Sequence, residues 1–140
     1  MVSTLAICAT LMLAAGGCGG STNQPESSTG PTATFGVDAS KFVDMTSKAT
    51  VEINVVDNTF EPSFVKVSKG TKLVFTNNGR NEHNVTAAEE GAFTGIKQAD
   101  FSPGKVASLT VGGLGEYGYF CSIHGTKKLN GQSGVILVVG

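Results

Sequence analysis

The stretch Val51-Glu52-Ile53-Asn54-Val55 alternates apolar and polar side chains, as a β-strand with one buried face does. Similar short segments recur towards the C-terminus and are separated by turn residues such as Asn78-Gly79. They are residues 64–67, 72–75, 84–86, 106–111, 116–121 and 135–139. Their spacing predicts an all-β domain, an antiparallel two-sheet β-sandwich of about seven to eight strands. Only residues 87–101 do not fit, and we expect a long loop with a short helical turn there.

Length and charge narrow the classes of function. A chain of 140 residues predicts one folded domain. Lys and Arg total 10 and Asp and Glu total 11, with no basic stripe or acidic tail, so nucleic acid is not an expected partner. We expect a monomer.

The N-terminus has the pattern of an export signal. Residues 1–17 carry no charge, and their apolar run at 5–15 is shorter than the roughly 20 residues that span a bilayer. Small residues follow at Ala15-Gly16-Gly17, directly before Cys18. This arrangement resembles the bacterial lipobox, which implies that Cys18 carries a lipid and anchors the protein to the outer face of a membrane. Ordinary cleavage, which would leave a soluble secreted protein, is the alternative.

The residues after Cys18 are rich in Gly, Ser, Thr and Pro and predict a flexible tether. The expected organisation is a signal peptide at 1–17, a lipid-anchored linker at 18–45 and a folded domain at 46–140.

One cysteine and two histidines are the candidate metal ligands of that domain. Once the signal peptide is removed and Cys18 is lipidated, Cys121 is an unpaired thiol in an exported protein, where cysteines usually pair. His124 follows it by three residues, and His83 begins another strand. Both strand ends can lie at one end of a sandwich, so these side chains predict a metal site.

The ligand set fits two metals. Two imidazoles and a thiolate with a weak axial ligand form a blue-copper electron-transfer site. Zinc accepts the same three groups and could be catalytic at an open fourth position. No general base is evident in the sequence, so we do not expect an enzyme.

Two groups of motifs resemble the plastocyanin/azurin-type cupredoxins over about residues 50–140. The first group is Asn58-Thr59-Phe60-Glu61-Pro62, Val74-Phe75-Thr76-Asn77 and Glu82-His83-Asn84-Val85. The second is Tyr119-Phe120-Cys121-Ser122-Ile123-His124 and Gly131-Gln132-Ser133-Gly134. The resemblance implies a Greek-key sandwich, one type 1 copper ion held by His83, Cys121 and His124, and an electron-carrier role.

The resemblance also assigns the residues around those ligands. Gln132 stands where the family commonly has Met, so it is the expected axial ligand, as in the stellacyanin-like minority. Asn84 is expected to hydrogen-bond near Ser122 and hold the thiolate in place. Redox proteins are expected to dock briefly near His124, where Lys127 and Lys128 either steer acidic partners or are plain solvated charges.

Three other functions stay open at this point. A copper-binding or copper-delivery protein would use the same ligands without redox turnover. An open red-copper site of the nitrosocyanin kind would leave a position for water or substrate. A metal-free adhesion module would require that the three ligands fail to converge.

Overall fold

The structure is a computed structural model that describes residues 34–140. The expected signal peptide at 1–17, the lipidation site Cys18 and the linker as far as residue 33 lie outside the described residues. Within residues 34–140 no helix is both long and apolar enough to cross a membrane.

Nine strands make up about half of the chain between residues 34 and 140. They are β1 Val43–Asp44, β2 Thr50–Val56, β3 Thr59–Glu61, β4 Phe64–Ser68, β5 Lys72–Asn77, β6 Thr86–Ala87, β7 Val106–Thr110, β8 Gly115–Gly125 and β9 Gly131–Val139. Two short 3-10 helices, Ala39–Lys41 and Gln98–Asp100, complete the regular structure. The second lies in the long loop that the sequence predicted between β6 and β7.

The strands form two sheets of a sandwich, one with the order β1-β4-β9-β8-β6 and the other β3-β2-β5-β7. The expected β-sandwich is confirmed, but its sheets are not antiparallel throughout. The pairs β1–β4, β2–β5 and β4–β9 are parallel, so both sheets are mixed. The remaining pairs are antiparallel, among them the hairpin of β8 and β9. An alternating pattern shows which face of a strand is buried but not which way its neighbour runs.

Alternation along β2, β4 and β5 sends apolar side chains into the space between the sheets. In β2 the buried residues are Val51, Ile53 and Val55, with exposed polar residues between them. Near one end of the sandwich the rings of Phe60 and Tyr119 meet edge to face with centroids 4.9 Å apart. Such aromatic pairs add roughly 0.5–1.5 kcal/mol beyond the area they bury.

An N-terminal strap at residues 34–44 is folded onto the outer face of the five-stranded sheet. Phe35 donates its backbone N–H to Glu116, and its ring lies where a side chain on Gly118 would have to be. At the far side Phe42 packs edge to face on Phe64, with centroids 6.0 Å apart.

The strap overlaps the end of the expected linker at 18–45. Strand β1 at its end pairs with β4, so the described residues of that segment pack against the domain. Isolated aromatic residues in a polar segment gave no periodic pattern from which this packing could be read.

Candidate metal centre

The structure brings His83, Cys121 and His124 together at one end of the sandwich, with their ligand atoms all within 4.8 Å of one another. The thiol of Cys121 is 3.7 Å from Nδ1 of His83 and 3.6 Å from Nδ1 of His124. Residues 38 and 3 positions apart along the chain thus present one sulfur and two ring nitrogens to a common point.

A bulge in the hairpin of β8 and β9 places two of these residues. The register pairs Phe120 with Ser133 and next pairs Gly125 with Gly131. Residues 121–124 of β8 therefore lie opposite the single residue Gln132 of β9. Bulges bend a strand and re-aim its side chains. Here the bend turns both Cys121 and His124 towards the same point.

The turn beyond the bulge depends on glycine. Gly131 has a φ of +74°, and a Cβ at this position would collide with the carbonyl oxygen of His124. Thr126 closes the turn by donating its N–H to the carbonyl of Asn130 over 2.9 Å. The close approach of the two strands at this point needs a residue without a side chain.

His83 lies in the loop that leads from β5 of the four-stranded sheet to β6 of the five-stranded sheet. Buried Asn77 organises this loop. Its Nδ2 donates to the carbonyls of Asn81 and Phe101 at 2.9 Å each, and its Oδ1 accepts from the N–H of Gly79 at 3.0 Å. The N–H of His83 itself points to the carbonyl of Phe101 at 3.4 Å. A fully bonded buried amide therefore fixes the loop that carries the ligand.

Gln132 is fully buried beside the three residues, and its amide orientation is determined by its neighbours. Nε2 donates to the carbonyl of Val56 at 3.2 Å and to that of Thr59 at 3.1 Å. Because two backbone acceptors take both amide hydrogens, the acceptor Oε1 must face the other way. There Oε1 is buried and has no hydrogen-bond partner. An unpaired buried acceptor costs roughly 1–3 kcal/mol unless something else binds it.

Asn84 and Ser122 form a reciprocal pair across the site. The N–H of Ser122 donates to Oδ1 of Asn84 over 2.8 Å, and Nδ2 of Asn84 donates to the hydroxyl of Ser122 over 2.7 Å. The residue after the first histidine is thereby tied to the residue after the cysteine. Contacts of this kind hold metal ligands in one orientation.

The two histidines of the site differ in how deeply they are buried. His83 and Cys121 are fully buried, whereas His124 is partly exposed. Burial lowers the pKa of the His83 imidazole below its ordinary value of 6.5, and the nearby His124 acts in the same direction. The side chain of Gln132 and the carboxylate of Asp57 oppose this shift of the pKa. The net lowering favours the neutral ring, which is the form that binds metal ions.

Three observations test whether the site fits a copper ion. Cys121 is a free, buried cysteine among the described residues, so its sulfur is available and protected. Oε1 of Gln132 is buried and unpaired, and the Gln132 side chain lies close enough to His83 to influence its pKa, so an oxygen donor is available near that ring. A donor set of two imidazoles, one thiolate and a weak fourth ligand is typical of blue copper.

Two residues of the site were not singled out from the sequence. Asn77 and Asp57 are polar residues at strand ends, where such side chains are common and predict only turns. The structure shows Asn77 inside the loop of His83 and Asp57 beside the His83 ring, 3.9 Å from Nε2. In the sequence, the only signal for Asn77 was its position at the end of an alternating segment.

Comparison with known proteins agrees with this geometry. The family model for the cupredoxin-like domain matches residues 31–138. Plastocyanin from Lactuca sativa is 32% identical over 74 residues, which cover 46% of this chain and 75% of that protein. Chloroplastic plastocyanin from Tetradesmus obliquus is 32% identical over 72 residues, 46% of this chain and 50% of that protein. The match therefore spans three quarters of the first protein and half of the second.

Solved structures share the fold at lower identity. Amicyanin from Paracoccus versutus superposes with a TM-score of 0.53 at 18% identity, covering 64% of this chain and 81% of that chain. A copper-containing nitrite reductase from Thermus scotoductus gives 0.52 at 22% identity, covering 65% of this chain and 22% of that chain. At these identities the likeness supports the sandwich fold alone.

Proposed function

Because the chain belongs to the family of cupredoxin-like domains, we propose that it is a blue copper electron carrier. The family and the cluster of His83, Cys121 and His124 support one type 1 copper as its cofactor. When bound, copper supplies a one-electron couple between its +2 and +1 states. The convergence of one thiol and two Nδ1 atoms at 3.6–3.7 Å is the observation that carries the proposal.

Each ligand has its own task. We assign the thiolate donor to Cys121, a buried neutral imidazole to His83 and the axial oxygen to Oε1 of Gln132. Burial keeps water from the sulfur, and the Asn84–Ser122 pair limits movement of the cysteine loop. A site held rigidly from both sheets reorganises little when its charge changes by one.

His124 is the proposed point of contact with redox partners. It is the partly exposed member of the cluster, and its neighbour Ile123 is 45% exposed, so an apolar edge is available beside it. Small apolar contacts suit short-lived complexes. Lys127 and Lys128 are exposed on the same turn and would favour acidic partners, with an effect that weakens as salt rises.

The structure offers less support for the competing functions. Deep burial of His83, Cys121 and Gln132 leaves only the His124 side approachable, which disfavours binding of a substrate at the site. A copper-delivery protein would give its ion to a chelator readily and lack a reversible couple.

A visible spectrum of the protein with Cu(II) tests the proposal. We expect an intense thiolate-to-copper charge-transfer band and a reversible one-electron couple, and we expect Cys121→Ser to abolish the band. A colourless complex in the unaltered protein, or a band that persists in Cys121→Ser, would refute it. Spectral change on adding azide would instead favour an open site.

We also propose that the domain is exported and tethered to a membrane through Cys18. The apolar run at 5–15 and the small residues before Cys18 support this. Labelled palmitate should be incorporated into the protein in bacterial cells and should be absent from Cys18→Ser. Equal labelling of the two would exclude lipidation at this residue.

A further inference from the structure

The outer nitrogen of His83 has no hydrogen-bond partner. The ring is fully buried, and its Nδ1 faces the sulfur of Cys121. If Nδ1 binds the metal, the proton of the neutral ring is on Nε2, which then needs an acceptor. Nε2 is buried and unpaired. The group that faces it is the carboxylate of Asp57, whose Oδ1 lies 3.9 Å away.

Asp57 is held in place by the loop that carries His83. It sits in the turn between β2 and β3, and its Oδ1 accepts from the N–H of Arg80 at 2.8 Å. The amide of Asn81 also points to this oxygen, at 3.4 Å. The carboxylate is therefore held by the backbone N–H of Arg80, three residues before the ligand His83.

A glycine makes room for this arrangement. A Cβ on Gly79 would come within 2.7 Å of Oδ1 of Asp57 and within 3.0 Å of Nε2 of His83. Any larger residue would push between the carboxylate and the ring. The loop is thus built so that these two groups can approach each other.

The charge of Asp57 is only weakly compensated. Nε of Arg80 lies 3.7 Å from Oδ2, but the Arg80 side chain is 94% exposed and its charge is largely solvated. Asp57 is 34% exposed, so one side of its carboxylate faces the protein and the buried ring. Few solvent dipoles separate the carboxylate from the ligand on that side.

We propose that Asp57 is a positioning residue for the copper ligand His83. Its carboxylate attracts the Nε2–H, which keeps Nδ1 free to face Cys121, and its negative charge stabilises Cu(II) over Cu(I) and lowers the reduction potential. Carboxylates that accept from the outer nitrogen of a ligating histidine fix its tautomer and raise its basicity. The inference rests on the proposed function.

The test compares Asp57→Asn with a matched control in the copper-loaded full chain. Asn keeps an oxygen for the N–H of Arg80 but loses the charge. We expect the relative affinity for Cu(I) over Cu(II) to increase about threefold or more, about 30 mV for a one-electron couple. Glu52→Gln removes the same charge from an exposed site on β2, about 16 Å further along the strand. Its potential should change clearly less.

A second readout does not depend on the potential. In the Cu(I) form, NMR can follow exchange of the His83 Nε2–H with solvent. We expect exchange at least about tenfold faster in Asp57→Ala, and close to the unaltered rate in Asp57→Asn, which retains an acceptor. Should Asp57→Ala fail to fold, the shift in potential of Asp57→Asn relative to the Glu52→Gln control decides the question.

The proposal requires both effects. A potential in Asp57→Asn that matches the Glu52→Gln control would overturn it. So would unchanged Nε2–H exchange in Asp57→Ala. These results would leave the charge-transfer band of the unaltered protein intact. Absence of that band would refute the proposed function instead.

Discussion

Gln132 joins two roles in one side chain. Its Nε2 hydrogens bind carbonyls of β2 and β3 in the second sheet, and its free Oε1 is the proposed axial donor. An amide oxygen is harder than a thioether and favours Cu(II). The side chain ties the two sheets together, and as the proposed axial donor it would also lower the reduction potential.

Gln132→Met separates these roles. We expect the reduction potential to rise by about 60 mV or more, a tenfold change in relative affinity for the two oxidation states. The free energy of unfolding should fall by about 1–3 kcal/mol, because the carbonyls of Val56 and Thr59 lose their donors. Spectroelectrochemistry and urea denaturation measure the two effects. A potential that stays the same or falls would remove Gln132 from the copper site.

Individual ligands were the most predictable part of the site. Cys121 and the two histidines stand out because these residue types are rare in the chain and bind metals strongly. Asp57 and Asn77 act through geometry that only folding creates, since each lies beside His83 through a loop and not through sequence spacing. No rule of composition distinguishes them from ordinary turn residues.

The bulge in the hairpin of β8 and β9 places strand residues at the candidate metal centre. Its turn requires a left-handed residue at Gly131, and the neighbouring carbonyl of His124 leaves no space for a side chain. Strands at 116–121 and 135–139 were expected from the sequence. The bulge was not, because three extra residues in one strand leave no mark on the pattern of the other.

Gly131→Ala should disturb the site as well as the turn. A control, Gly70→Ala, has the same kind of backbone with φ +87° but no atom within 4 Å of the new Cβ, so it measures the backbone cost of roughly 1–2 kcal/mol alone. We expect Gly131→Ala to lose a further 1–3 kcal/mol or so of unfolding free energy through overpacking. It should also shift the charge-transfer band, because the collision displaces His124.

Urea denaturation and the visible spectrum of the copper-loaded variants measure these effects. Equal destabilisation of the two variants, with an unaltered spectrum in Gly131→Ala, would show that the turn can relax without moving the ligand.

The strands themselves were largely predictable and their partners were not. Long alternating segments such as β2 and β7 were expected where they occur. The two-residue β1 and three-residue β3 are too short to show a period, and both are stabilised by pairing with a neighbour. The strap over Gly118 depends on Phe35 meeting a strand more than 80 residues away, a contact that no local pattern reports.

The two sheets share the construction of the metal centre. His83 lies in the loop that joins β5 of one sheet to β6 of the other, while Cys121, His124 and Gln132 belong to β8 and β9. The ligands therefore keep their spacing only while the sandwich is packed. The core that holds the sheets together consists of apolar residues from both, such as Ile53, Phe75 and Ile136.

Removal of the metal should consequently weaken the protein without unfolding it. Small zinc domains collapse without their ion because it supplies most of their folding energy. Here the apolar core extends from the site through the length of both sheets, so the chelated protein should keep the far-ultraviolet circular dichroism of a β-sandwich. Free copper at 100 times its dissociation constant should raise the free energy of unfolding by about 2.7 kcal/mol.

Thermal and urea denaturation with and without a chelator measure this difference. Cys121→Ser is the control, since copper should raise its stability much less than that of the unaltered protein. Loss of the β signal on chelation would mean that the ion organises the fold. In that case the apolar core would not be sufficient to hold the fold, and the spacing of the ligands would depend on the copper that they bind.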